Sequence, residues 1–285
     1  MQQDQPSTTA EGAARLRAAH QLFDSPRVLD DPIVLRLLGP GVETALQAER
    51  QRLEEPALRS LRASMAMRSR YAEDCLREAV ARGVRQYVVL GAGLDSFAYR
   101  NPFERSALHV YEVDHPATQA WKRRRLADTG IALPSSLSFV PVDFEQQMVS
   151  DALRSGGFDR AQPAFVSWLG VTVYLTHAAI MRTLADVASL ARGTEIVFGY
   201  VTSLEELSAA RRAAVSAVAE RAAAAGEPWR TFFEPAALAR EVEQLGFTVV
   251  EDFGPEQAFE RYFRGRSDGL RSGGVGRLMR ARLGP

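Results

Sequence analysis

The chain has one cysteine, Cys75, among 285 residues. A single thiol closes no internal disulfide and builds no multi-thiolate metal centre. Histidine is also scarce, with four residues: His20, His109, His115 and His177. None has the His-x-x-x-His or His-Glu-x-x-His spacing that sets two imidazoles on one helix face, so no metal site is expected. Neither charge is in excess, because 35 basic side chains face 35 acidic ones. That balance argues against a nucleic-acid binder relying on a global basic field. No stretch approaches about 18 consecutive apolar residues, so no transmembrane helix and no membrane partner is expected. Met1 to Ala10 is polar and lacks the basic region and apolar core of a signal peptide, which makes a cytoplasmic protein the expectation. No Gly-x-Ser-x-Gly elbow supports serine-hydrolase chemistry.

What is present is an ordinary globular composition, 46% hydrophobic and 25% charged. The length fits about two domains, or one large α/β unit with additions. Residues 1–12 have little to bury and read as disordered. Ala13 to Phe23 is helical in pattern, and Ile33 to Leu38 is a short apolar segment before the Gly39-Pro40-Gly41 break. Val42 to Leu53 and Pro56 to Arg82 read as helices rich in Ala, Leu, Arg and Glu. Residues 1–82 are therefore expected to form an N-terminal helical cap.

The texture changes at Gly83. Short apolar runs follow at 86–90, 108–113, 137–142, 164–169, 195–200 and 247–253. Helical stretches lie between them at 116–129, 146–155, 177–191 and 235–245. This alternation predicts a parallel sheet with helices on both faces, filling residues 83–285. An Ala-rich helix, 203–225, is inserted after strand five. Behind the Gly-rich stretch 267–276, Arg277–Leu283 is a weakly patterned candidate for a seventh strand.

The first strand ends in Gly91-Ala92-Gly93, the expected place of a ligand in an open parallel sheet. The dinucleotide fingerprint requires a third glycine, and that position is Ser96. A phosphate-binding P-loop fails as well, because no Gly-Lys-Ser/Thr follows. Instead the turn is followed by Asp95, which would repel a pyrophosphate and suit an ammonium. Glu112 and Asp114 close the next strand, where an acid about 20 residues on can take both ribose hydroxyls. A nucleoside with an amino-acid tail and no phosphate meets both conditions, and S-adenosylmethionine is the common molecule of that kind.

These residues resemble the class I S-adenosylmethionine-dependent methyltransferases of the leucine carboxyl methyltransferase-like group, which includes bacterial O-methyltransferases. The match runs through Arg68-Ser69-Arg70-Tyr71 with Asp74, Gly83 to Gln86, and Leu90 to Ser96 on to Tyr99-Arg100. It continues in Tyr111 to Pro116 with Lys122, in Pro141 to Phe144 and in Tyr174-Leu175. The resemblance implies a Rossmann-like class I methyltransferase fold with a mostly parallel seven-stranded sheet. It implies Arg68 on the cofactor carboxylate, Gly91, Ala92 and Gly93 under the methionine part, and Asp95 near the ammonium. Asp114 would take the ribose with Glu112 and His115 close by. Asp143 and Phe144 would meet the adenine, Trp168 and Leu169 would flank the cofactor, and Tyr174 would border the transfer cleft. The group often carries Glu five residues before the Tyr-Leu pair, and here that residue is Leu169.

The expected function is methyl transfer from S-adenosylmethionine to a carboxylate or hydroxyl oxygen of a small molecule, by a monomer or homodimer. A non-catalytic cofactor-binding protein is the alternative, motivated by Leu169. His177, behind the Thr176 N-cap, is a candidate base. No clear base is otherwise visible, which leans the reading toward a carboxylate or an acidic phenol. Lys122 to Arg125 reads as a solvated face. The aromatic segment Trp229 to Phe233 reads as core, or as the wall of an apolar pocket beside the inserted helix.

Overall fold

The computed structural model describes residues 7–103, 108–203, 209–224 and 226–284. Five helices come first: α1 (Thr8–Phe23), α2 (Ile33–Leu38), α3 (Val42–Ala48), α4 (Arg50–Leu53) and α5 (Pro56–Ala81). Then follow β1 (Gln86–Leu90), β2 (His109–Asp114), α6 (Pro116–Asp128), β3 (Leu137–Pro141), α7 (Val149–Ser155), β4 (Ala164–Trp168), α8 (His177–Ala188) and β5 (Glu195–Val201). The chain continues through α9 (Ala209–Ala224), α10 (Pro235–Gln244), β6 (Phe247–Phe253), α11 (Pro255–Ala258) and β7 (Gly276–Leu283).

The seven strands lie in the order β3-β2-β1-β4-β5-β7-β6. β7 runs antiparallel to both its neighbours, while β1 to β5 pair in parallel. The expected mostly parallel sheet is therefore present. The weakly patterned last segment is its antiparallel strand, wedged between β5 and β6. Strand order reverses between β1 and β4, so a crevice opens beyond their carboxyl ends.

β1 is buried along its whole length, as a strand covered on both faces must be. Val88 and Leu90 face the core shared with α8 and α10, whereas Tyr87 and Val89 face the core shared with α5. Ala72, Cys75, Leu76 and Ala79 of α5 pack in that second core with Phe165 and Val197. The expected boundary at residues 82/83 thus runs through one shared core.

α1 starts at Thr8, inside the segment expected to be disordered; Ser7 Oγ accepts the Ala10 amide at 3.1 Å and caps it. Its C-terminal half is fastened by buried charges. His20 Nδ1 lies 2.7 Å from Asp24 Oδ2, and Arg62 of α5 grips both oxygens of Asp24 at 2.8 Å. The run Val42 to Leu53 forms two helices, α3 and α4, meeting at Glu49.

Candidate active site

A cavity of about 1190 Å³ opens beyond β1 and β4. Pockets for one small ligand run to about 300–1,000 Å³, so this one has room for two molecules side by side. Its floor is the turn after β1. Gly91 has φ +66°, and a Cβ there would collide with the Val171 side chain, so the turn needs glycine. The Gly93 amide donates to Asp114 Oδ2, and the His115 amide donates to Asp114 Oδ1 at 2.7 Å. Asp114 therefore shapes the glycine turn from the end of β2. Burial raises its pKa, opposed by these two amides and by Lys122.

Arg68, on α5, reaches the same cavity. Its guanidinium lies over Gly170 (φ +71°), where a Cβ would sit 2.5 Å from Nη1, so a side chain at 170 would displace it. No hydrogen bond or ion pair satisfies Arg68 among the described residues. Burial, reinforced by Arg17, brings its pKa down to about 10, while Tyr174 and Asp95 lend partial compensation. A cavity-facing cation with no ion pair could hold an anionic ligand group, and guanidinium suits a carboxylate. Asp95 takes the Phe97 amide on Oδ1 at 2.8 Å and lines the same cavity.

The cavity wall also gathers Ala92, His115, Asp143, Phe144, Leu169 and Tyr174. The Asp143 carboxylate is already engaged, with Oδ1 on the Glu145 amide and Oδ2 on Gln146 Nε2 at 2.7 Å. Tyr174 faces Thr9 and Trp229, and burial raises its pKa, so its phenol stays neutral.

Three expected site residues do not reach the cavity. Glu112 is buried beside Lys122 Nζ at 2.7 Å, and burial pushes its pKa up to about 7 against the pull of that ammonium. Lys122, read as solvated, is buried as its partner. Trp168 is 0% exposed, packed 6.0 Å from the Phe144 ring. His177 lies on the surface, with Nε2 2.8 Å from Glu241 Oε2 and its side chain 54% exposed. Thr176 does cap α8, but the first turn of that helix points His177 away from the crevice.

Thr9, Ala10 and Glu227 also border the cavity and had no signal in the sequence, while Trp229 takes the pocket-wall place offered for its segment. The first turn of α1 roofs it, and the Ala10 methyl stands 3.0 Å from where a Cβ on Gly93 would begin. Trp229 and Glu227, downstream of α9, line the far wall. Glu227 is 6% exposed and accepts the Thr9 amide at 3.1 Å. Among the described residues, no cluster of His, Cys, Asp and Glu could hold a metal ion, and no helix is long and apolar enough to cross a membrane.

Residues 10–188 match the family model described as leucine carboxyl methyltransferase. YktD of Bacillus subtilis, named provisionally as an S-adenosyl-L-methionine-dependent methyltransferase, is 30% identical over 95% of both chains. Rv1729c of Mycobacterium tuberculosis, named in the same way, is 37% identical over 155 residues, 53% of this chain and 48% of that one. Among solved structures, a protein from Thermobifida fusca, named provisionally as a methyltransferase, superposes with a TM-score of 0.60 at 18% identity, covering 99% of this chain and 96% of that one. A DUF574 protein from Streptomyces avermitilis follows at TM-score 0.56 and 18% identity, covering 95% and 97%. At such identities the two structures bear on the fold alone.

Proposed function

The chain belongs to the leucine carboxyl methyltransferase family and is an S-adenosylmethionine-dependent methyltransferase; on that premise we propose that its acceptor atom is an oxygen, carboxylate or hydroxyl, of a small molecule. The cavity has room for the cofactor and a small acceptor, and its wall of Leu58, Leu61, Met65, Val218 and Trp229 fits a hydrophobic one. The protein acts in the cytoplasm as a monomer or homodimer.

When bound, S-adenosylmethionine supplies an electrophilic methyl on a sulfonium. Every other contribution comes from the chain. Arg68 clasps the cofactor carboxylate and Asp95 takes the ammonium. Asp114, already holding Gly93 and His115 in place, would accept the ribose hydroxyls on its remaining lone pairs. Asp143 and Phe144 border the adenine. Tyr174, neutral, borders the transfer cleft. The α1 turn above and the apolar wall beside it exclude water and hold the acceptor in line. A carboxylate acceptor arrives already ionised near pH 7, whereas a hydroxyl needs a proton acceptor.

The observation that carries the cofactor assignment is the pairing, across one cavity, of the Asp114-braced glycine turn with Arg68, which has no ion pair among the described residues. Calorimetric titration with S-adenosylhomocysteine, with NADH as the control, tests it. Binding of the first in the micromolar range and none of the second is the expected result. Binding of NADH, or of neither, would overturn it.

A further inference from the structure

Most acids on the cavity wall are already occupied. Both oxygens of Asp114 and of Asp143 hold hydrogen bonds, and Glu49 pairs with Arg15 and Arg52. Glu227 differs. It is 6% exposed, has no ion pair among the described residues, and keeps only the Thr9 amide on Oε2. Glu227 lines the cavity, and Oε1 has no hydrogen-bond partner among the described residues. The amide comes from the first turn of α1, whose dipole favours a negative charge there. Tyr174, Glu227 and Arg68 line the same cavity, and Tyr174 is within electrostatic range of both charges. Trp229, two residues on, adds its indole to the wall beside Tyr174, with no hydrogen-bond partner for Nε1 among the described residues.

Leu169, directly after β4, lines the cavity with an apolar side chain, so the end of that strand brings no carboxylate to the cleft. Glu227 brings one from the segment behind α9.

We propose that Glu227 faces the acceptor and selects an uncharged hydroxyl over a carboxylate. This rests on the methyl-transfer reading above. A buried anion repels an acceptor carboxylate at the same spot, whereas a hydroxyl donates to Oε1. As the new oxygen–carbon bond forms, the sulfur–methyl bond breaks, its electron pair stays on sulfur, and the hydroxyl proton passes to Glu227. The products are the methyl ether, the neutral thioether and a protonated Glu227, which returns its proton to water after release. Arg221 and Arg230 at the cavity rim are exposed, so an anionic group on the acceptor is tolerated only at that outer end.

The test uses full-length protein and its Glu227→Gln variant, which keeps an oxygen for the Thr9 amide. S-adenosylhomocysteine should bind both with affinities within about threefold. Then 4-phenylphenol and biphenyl-4-carboxylate, sharing one skeleton, are titrated into each protein saturated with S-adenosylhomocysteine, at about pH 7 where only the second is ionised. The wild type should prefer the phenol by about tenfold or more, and Glu227→Gln should lose that preference to within about twofold. A role confined to fastening α1 would leave the preference in place, which overturns the proposal. Equal binding of the two probes to the wild type, or binding of neither, overturns it too. If S-adenosylhomocysteine fails to bind the wild type, the cofactor reading falls and this proposal falls with it.

Discussion

Replacing Arg68 by Met should make the empty protein more stable and its cofactor affinity worse. The guanidinium is held with no counter-ion, and its pKa is brought from the usual 12.5 down to about 10. At about 1.4 kcal/mol per pKa unit, keeping that charge costs the empty fold about 3 kcal/mol. Arg68 still meets cavity water, so about half of this, 1–2 kcal/mol, is the gain expected when Met supplies similar bulk without charge. For a chain of this size that corresponds to a rise in Tm of about 2–6 °C, read by scanning calorimetry. The same change removes a charge-assisted hydrogen-bonding partner, worth about 1.5–3 kcal/mol, so S-adenosylhomocysteine should bind about 10–150-fold more weakly. Opposite signs are the signature of a residue kept for a ligand at the expense of stability. A fall in Tm with unchanged affinity would refute the reasoning and make Arg68 a packing residue.

Asp114→Ala removes the acceptor of the buried Gly93 amide, so S-adenosylhomocysteine affinity should fall by about 10-fold or more while turnover of bound cofactor changes less; calorimetry beside single-turnover rates checks this, and unchanged affinity would sink it. His177→Ala should leave labelled-methyl transfer within about twofold of wild type, because the imidazole sits on the surface against Glu241; a large loss would return it to the site. Glu112 gives a pH dependence. Its native pKa of about 7 exceeds the usual 4.5, so the folded state binds the extra proton and the contribution to stability is fully present only below about pH 4.5 and lost as pH rises through 7. Denaturant midpoints of wild type and Glu112→Gln across that window should differ by a slope that accumulates to about 3 kcal/mol, and parallel curves would refute the assignment.

The sheet was legible because its signals are local. β1, β2, β4 and β5 are apolar runs bounded by glycine or acid, and the glycine turn after β1 can be read as a ligand floor from its spacing to Asp114. Arg68 was not legible on physical grounds: an arginine on a helix is usually solvated, and only the resemblance marked it. The misplacements share a cause. Glu112 and Asp114 are two residues apart on one strand, so they lie on the same face, yet only the strand's last residue clears the sheet edge. Glu112, one pleat earlier, stays beneath the turn, where Lys122 on α6 neutralises it. Lys122 in turn looked solvated because a run of four basic residues hides which one points inward. His177 was placed by a cap that does exist, but a cap fixes where a helix begins and not which way its first residue faces.

The acceptor side follows a different logic. Its residues come from both ends of the chain, Thr9 and Ala10 from the first helical turn and Glu227 and Trp229 from beyond the inserted helix, and none lies in a periodic pattern that predicts a position in space. Thr9 and Glu227 are 218 positions apart, yet one hydrogen bond of 3.1 Å joins them across the cavity mouth. No spacing rule reaches that far; only the topology does, by bringing α1 over the glycine turn and returning the chain from α9 beside it. The cofactor floor is written in short motifs because one βα turn builds most of it. On the proposal above, acceptor choice is set by additions to the sheet and not by the turn that builds the floor. Leu169 and Glu227 show the same division: the strand end offers the cavity a leucine, and the carboxylate comes from the segment behind α9.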